Sequence, residues 1–337
     1  MHRMRLGLTA LALAVLAAAT LAVSACGGGG QAASTGNTGA AGTGTAGSGT
    51  AGSARPVIMA TTPLLGAIVR DAVGDDADVR VVMPNGSDPH EWRPSAKDVA
   101  ALQSADMVVQ NGLGLEQGLE EAVAQARDEG VPVFTATDHI AVRSVAEGGD
   151  DHGDDQGDDH GDDHGAGDPH FWTDPAQVRR VVAALPAAVR RATGTDVSAP
   201  AKVAAARLAK IDAAVAADFA ALPAKARKLV TGHESLGYLA GRYGLGLVGA
   251  VTPSLSSQGQ VSAAHLAELE EAMREAGVRV VFTETGLQNA VADAIVKETG
   301  ATLVELGTEA VPADGSYATY ITELARRISS ALANTGG

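Results

Sequence analysis

Five histidines stand where a folded chain could use them to hold a metal ion: His90, His139, His170, His233 and His265. Two share a setting, Asp88-Pro89-His90-Glu91-Trp92 and Asp168-Pro169-His170-Phe171-Trp172, so both tryptophans of the chain follow such a histidine by two residues. His90 comes after the apolar run Val79 to Met83, across the turn-rich Asn85-Gly86-Ser87-Asp88. His233 follows Lys228 to Thr231 in Thr231-Gly232-His233-Glu234, and Glu309 stands just past Thr302 to Leu306. Open α/β sheets bind ligands beyond the carboxyl ends of their strands. Three imidazoles and a carboxylate suit the N/O tetrahedron of Zn²⁺, and ligands that must be deprotonated make such a site weaken in acid. The expected ligand set is therefore His90, His170, His233 and Glu309.

Each residue has a plainer reading when taken singly. A lone histidine at a strand end is ordinarily a hydrogen-bonded surface residue, and Glu309 alone would be an ordinary surface acid. His265 in Ala264-His265-Leu266 caps or lines a helix, and His139 in Asp138-His139-Ile140 fits simple exposure. The joint pattern carries the ligand reading.

The elements that must position these residues alternate. Val57 to Ala60, Val79 to Met83, Met107 to Gln110 and Val131 to Phe134 read as buried strands, with helices at Leu64 to Val73, Ser95 to Ser104 and Glu116 to Arg127. Lys228 to Thr231, Leu247 to Val251, Val278 to Thr283 and Thr302 to Leu306 repeat the pattern, with helices at Ala264 to Glu275, Leu287 to Thr299 and Tyr317 to Leu332. Such alternation predicts an α/β fold of two lobes, each with a mostly parallel sheet covered by helices. Between the halves, Pro175 to Ala192 and Ala201 to Leu222 are alanine-rich and strand-free. The second of these, at about 33 Å, is long enough to join the lobes as a rigid rod. The expected boundaries are 55–195 for the first lobe, 196–223 for the connecting helix and 224–337 for the second lobe, with the metal site in the cleft.

The 337 residues carry 25 basic and 40 acidic side chains, a net charge of -15 that argues against a nucleic-acid partner. One cysteine excludes a disulfide scaffold and any zinc site built from several thiolates. That cysteine has its own context. Arg3 and Arg5 precede an 18-residue apolar run, Leu6 to Val23, and then Val23-Ser24-Ala25-Cys26, the anatomy of a secretory signal over 1–25. Residues 26–54 are expected to be the lipidated cysteine and a flexible tether, since Gly27 to Ser53 is almost wholly Gly, Ala, Ser and Thr.

A four-residue repeat of aspartate, histidine and glycine occupies 147–168, with ten acidic residues and no basic one. Self-repulsion and glycine disfavour a packed conformation. The aspartates alone would make a solubilising loop, but His152, His160 and His164 add imidazoles that suit zinc, copper or nickel. Weak, reversible metal capture is the expectation for these three.

Together these segments resemble the zinc/manganese-binding lipoproteins of bacterial ABC uptake systems, the metal-specific cluster of solute-binding proteins. Pro84 to Trp92, Ala105 to Glu116, Asp168 to Trp172 with Asp174-Pro175, and Thr231 to Glu234 with Gly237-Tyr238 and Arg242 to Leu245 carry the likeness, and Val23 to Cys26 looks like a lipobox. The resemblance implies a metal held between two α/β lobes joined by a long helix and handed to a membrane permease with its ATPase. It also implies acylation of Cys26, which would anchor the chain to the outside of the cell membrane. By the same resemblance His90, His170 and His233 are ligands, and a histidine in the third place together with an acidic histidine-rich loop points to Zn²⁺ over manganese. The fourth ligand of the family is usually Asp, where Leu306-Gly307-Thr308-Glu309 offers Glu. No second copy of the chain is expected as a partner.

A zinc hydrolase would need an open coordination position and a base. His90-Glu91 and His233-Glu234 begin like the metalloprotease helix motif, but Pro94 and Gly237 stand where its second histidine belongs. No enzyme is expected, and an adhesin would not need three matched histidines.

Overall fold

The computed structural model describes residues 54–144, 167–284 and 290–335. Strands β1 (Val57–Ala60), β2 (Asp78–Val81), β3 (Met107–Gln110) and β4 (Val133–Thr135) form one parallel sheet in the order β2-β1-β3-β4. Strands β5 (Lys228–Thr231), β6 (Gly246–Ala250), β7 (Val280–Glu284) and β8 (Thr302–Leu306) form a second, in the equivalent order β6-β5-β7-β8. The chain switches direction of travel at the first strand of each sheet, which opens a crevice at the carboxyl ends.

Helices α1 (Pro63–Val73), α2 (Ala96–Gln103), α3 (Glu120–Asp128), α4 (Pro175–Thr193), α5 (Ser198–Ala220), α6 (Gly237–Tyr243), α7 (Ala263–Ala276), α8 (Ala290–Thr299) and α9 (Tyr317–Thr335) cover the sheets. Local chemistry sets their ends. The Thr62 side chain accepts from the Leu65 N–H ahead of Pro63, and Asp174 does the same for Ala176 ahead of Pro175, so each helix starts on a side-chain cap with proline in its first turn. α3 begins later than its apolar pattern suggests because Glu116 turns back: its Oε1 accepts from Thr61 Oγ1 at 2.6 Å and Asn111 N at 2.7 Å. The short α6 has no counterpart in the sequence reading, since seven residues with glycines at 237 and 241 give too few turns for a periodic signal.

One face of each sheet rests on its own core. Met59, Val108 and Leu102 pack with Leu119 and Val123 in the first lobe; Val230, Val281 and Leu269 pack with Met273 and Ile295 in the second. The opposite faces share a single core that runs from Ile58 and Met107 through α1, α4, α5, α6 and α9 to Leu229 and Phe282. α5 lies inside this layer, against α1 and α4 on one side and α9 on the other. Its buried stripe, Ala201, Ala204, Leu208, Asp212, Val215 and Phe219, recurs every three or four residues. The alanines allow close helix approach, and one buried acid pins the arrangement: Asp212 Oδ1 accepts from Arg242 Nε and Tyr243 Oη of α6, both at 3.1 Å. The two sheets are thus joined by a common helical core as well as by the length of α5.

Candidate metal centre

The turn after β2 carries His90. Asp88 closes that turn, accepting the His90 N–H on its side-chain Oδ1 at 2.9 Å, while its carbonyl takes Trp92 N at 3.0 Å. The turn before α4 repeats the device: Asp168 Oδ1 accepts the His170 N–H, also at 2.9 Å. An aspartate bonding the backbone two residues on, with proline fixing the residue between, is an Asx turn. The repeated Asp-Pro-His triplet is therefore a way of aiming an imidazole. His233 follows β5, and Glu309 follows β8.

Tertiary structure brings these four together. One ligand atom from each of His90, His170, His233 and Glu309 lies within 4.8 Å of all the others. The three histidines are buried, and Glu309, partly exposed as a residue, has its Oε1 sealed off. His170 Nε2 and His233 Nε2 are 3.3 Å apart. Metal–nitrogen bonds of about 2.0 Å arranged tetrahedrally put two donor atoms about 3.3 Å apart, so this pair has a ligand spacing. His90 Nε2 and Glu309 Oε1 are buried with no hydrogen-bond partner in the protein, a costly state that a bound cation relieves. Beside the site, a cavity of about 210 Å³ is lined by Asp88, Glu91, Glu284, Thr308 and Glu309 among others.

Two carboxylates stand behind the imidazoles. Asp168 Oδ1 sits 2.9 Å from His170 Nδ1, and its Oδ2 is 3.3 Å from the Arg143 guanidinium. Tyr238 on α6 donates to the Asp168 carbonyl at 3.0 Å and accepts the Arg143 N–H at 2.9 Å. α6 can come this close because residue 237 is glycine: a Cβ there would reach Asp168 Oδ2 and Arg143. Glu284, the last residue of β7, places Oε1 2.9 Å from His233 Nδ1, without the alignment of a hydrogen bond, and takes Ser235 Oγ at 3.1 Å. Glu284 is absent from the sequence-derived set. The signal that could have found it is an acid ending an apolar strand, at the same rim as the other ligands.

Burial governs the protonation states. Burial, helped by the neighbouring His170 and His233, lowers His90 to about 3, and burial lowers His170 against the pull of Asp168. Burial also works against charge on His233, but Glu284, Glu309 and Asp88 outweigh it, and its pKa is raised. Glu284 goes the other way, because His233 overcomes the effect of burial and holds it below the ordinary carboxylate value. Burial pushes Glu309 up to about 8. The shifts favour neutral imidazoles at His90 and His170 and a protonated carboxyl at Glu309, with His233 biased toward its charged form.

The other sequence candidates fall elsewhere. His139 is exposed and stacks on Phe134, ring centroids 4.5 Å apart. His265 sits in the first turn of α7, its N–H capped by Ser262 and its Nε2 2.9 Å from the Ala250 carbonyl. Trp172 edges onto His170 at 5.3 Å, whereas Trp92 packs against the first lobe's own core. Cys26, the leader, the tether, and His152, His160 and His164 lie outside the described residues. Ser144, ahead of the acidic loop, and Gly167, near its end, form an antiparallel bridge beside Asp168.

Comparison with known proteins finds relatives in both sequence and fold. The sequence profile of the family described as zinc-uptake complex component A, periplasmic, matches residues 58–331. The high-affinity zinc uptake system protein ZnuA of Bacillus subtilis is 33% identical over 241 residues, 71% of this chain and 74% of that one. The zinc-binding lipoprotein AdcA of Streptococcus pneumoniae is 30% identical over 68% of this chain, which spans only 45% of that longer protein. The structure of the periplasmic zinc-binding protein TroA of Treponema pallidum superposes with a TM-score of 0.69 at 23% identity, covering 83% of this chain and 100% of that one, and shows the same fold.

Proposed function

We propose that this chain, which belongs to the zinc-uptake component A family of extracytoplasmic, non-catalytic solute-binding proteins, captures Zn²⁺ on His90, His170, His233 and Glu309 and delivers it to the permease of an ABC uptake system. The observation that carries this reading is the convergence of four ligand atoms within 4.8 Å, with two imidazole nitrogens at a tetrahedral spacing. Three nitrogens and one oxygen favour zinc over manganese, which ranks lowest among first-row divalent ions and prefers oxygen donors. The zinc-related names of the two relatives support the same choice. Acylated Cys26 holds the protein at the membrane surface, and His152, His160 and His164 gather further zinc weakly.

The test is metal content and competitive titration of the purified chain with Zn²⁺ and Mn²⁺, alongside zinc uptake in a deletion strain. One tight zinc equivalent, lost in His170→Ala and His233→Ala, is the expected result. Absence of a tight site, or tighter manganese than zinc, overturns the zinc assignment. Replacing Cys26 by alanine should release the protein from membranes with its tight site intact.

A further inference from the structure

We propose that Glu284 is a positioning residue for the cargo: it stands behind His233 and orients the imidazole so that Nε2 faces the metal. This rests on the functional reading above and deepens it, because Glu284 is not one of the four converging ligands.

The geometry is specific. His233 has two ring nitrogens, and Nε2 is spoken for by its 3.3 Å approach to His170 Nε2. Nδ1 is left facing Glu284 Oε1 at 2.9 Å. A carboxylate behind a ligating imidazole selects the tautomer with the proton on Nδ1 and raises the basicity of Nε2. Glu284 is in turn held by Ser235, while its Oε2 is buried with no partner. The chain makes room for that oxygen. A Cβ at residue 232 would run into Glu284 Oε2, so Gly232, immediately before the ligand, is small to let the carboxylate in. The contrast with His170 sharpens the point. Asp168 has Arg143 on its outer oxygen, whereas among the described residues no Lys or Arg pairs with Glu284. His233 is thus the ionisable group that Glu284 faces, and the setting of that ring is what the carboxylate fixes.

The experiment uses the full chain with Glu284→Gln, Glu284→Ala and Gly232→Ala. Zinc affinity by competitive titration is read together with the His233 tautomer by long-range ¹⁵N–¹H NMR of the zinc-bound protein. Loss of an outer-sphere partner costs about 10–100-fold in metal affinity, so Glu284→Ala should sit at the upper end, with Glu284→Gln and Gly232→Ala at the lower. The His233 Nδ1 proton signal should be sharp in the unaltered protein and lost or broadened in Glu284→Ala. Affinity within twofold of the unaltered chain, with that signal in place, overturns the proposal even if thermal stability falls. Should Glu284→Ala fail to fold, Glu284→Gln and Gly232→Ala decide on the same two readouts. If the unaltered chain has no tight zinc site, the functional reading itself fails; if it has one that His233→Ala abolishes and all three variants keep, only the role of Glu284 is lost.

Discussion

The two Asp-Pro-His segments share one local device and occupy opposite settings. Around His170 everything is tied down. Phe171 is fully buried in the shared core, Trp172 Nε1 donates to the Thr308 carbonyl at 2.9 Å, Tyr317 donates to the Trp172 carbonyl at 2.8 Å, and Asn111 donates to Pro169 at 3.0 Å. Around His90 the chain is looser: Glu91 is exposed and Trp92 only partly buried. Its ties to the other lobe are the Ser257 hydroxyl on Asp88 Oδ2 at 2.5 Å and the Asn85 side chain, which makes two 2.8 Å bonds to the Val311 backbone. The same triplet therefore aims one imidazole from inside the shared core and the other from a segment with more exposed flanks, and what differs is the partner surface, not the local turn.

Removing either imidazole should have the largest effect. His170→Ala and His90→Ala should each weaken zinc binding by more than the roughly 100-fold that loss of an outer-sphere partner can cost. They should part company without metal: His170→Ala empties a fully buried position and should lower the melting temperature of the metal-free protein, while His90→Ala leaves it nearly unchanged. Equal destabilisation by both, measured by calorimetry, would break the contrast.

The aspartates come next. Asp168→Asn keeps the turn acceptor but removes the charge that faces His170 Nδ1 and Arg143, and should cost about 10–100-fold in zinc affinity. Asp88→Asn keeps the turn acceptor and should cost less than tenfold in the same titration.

Protons sharpen the comparison further. With His90 at about 3 and His170 lowered, neither binds a proton near neutrality, so neither has one to give up. Glu309, pushed up to about 8, holds a proton at pH 7 that zinc must displace, and the raised pKa of His233 acts in the same direction. Capture should therefore release protons, and apparent affinity should climb as pH rises toward 8 and level off above it. Calorimetry in buffers of different ionisation enthalpy measures the release. A proton count of zero at pH 7 would place the stored protons elsewhere.

The smallest effects are optical and kinetic. Trp172→Phe should abolish the fluorescence response to zinc, and Trp92→Phe should leave it, because only the first indole touches a ligand ring. Asn85→Ala removes two exposed hydrogen bonds across the cleft, each worth about 1 kcal/mol at most, and should speed zinc release several-fold in stopped-flow chelation.

Much of this was legible in the residues. The strands at 57–60, 107–110, 228–231 and 302–306 stand where their apolar runs ended them, because a buried parallel strand is a short β-branched run between turn signals. The convergence of His90, His170, His233 and Glu309 was legible because each follows a strand or a repeated Asp-Pro-His turn. Glu284 was not, since nothing in Phe282-Thr283-Glu284 shows that its carboxylate meets an imidazole 51 positions earlier in the chain. α6 was missed for lack of periodicity, and its role depends on Gly237 admitting its first turn against Asp168.

The sequence by itself determined the chemistry available: three imidazoles and an acid in turns at strand ends, two sheets of equal pattern, and alanine-rich helices able to pack closely. Only the tertiary structure decided which nitrogen of each ring faces inward, which carboxylate stands behind it, and which of two identical triplets is locked into the core. The physical reason is that turn conformation depends on a few neighbouring residues, whereas tautomer, burial and charge balance depend on groups brought together from β2, β5, β7, β8 and the start of α4. Those contacts exist only once the shared helical core has closed the two sheets on one another.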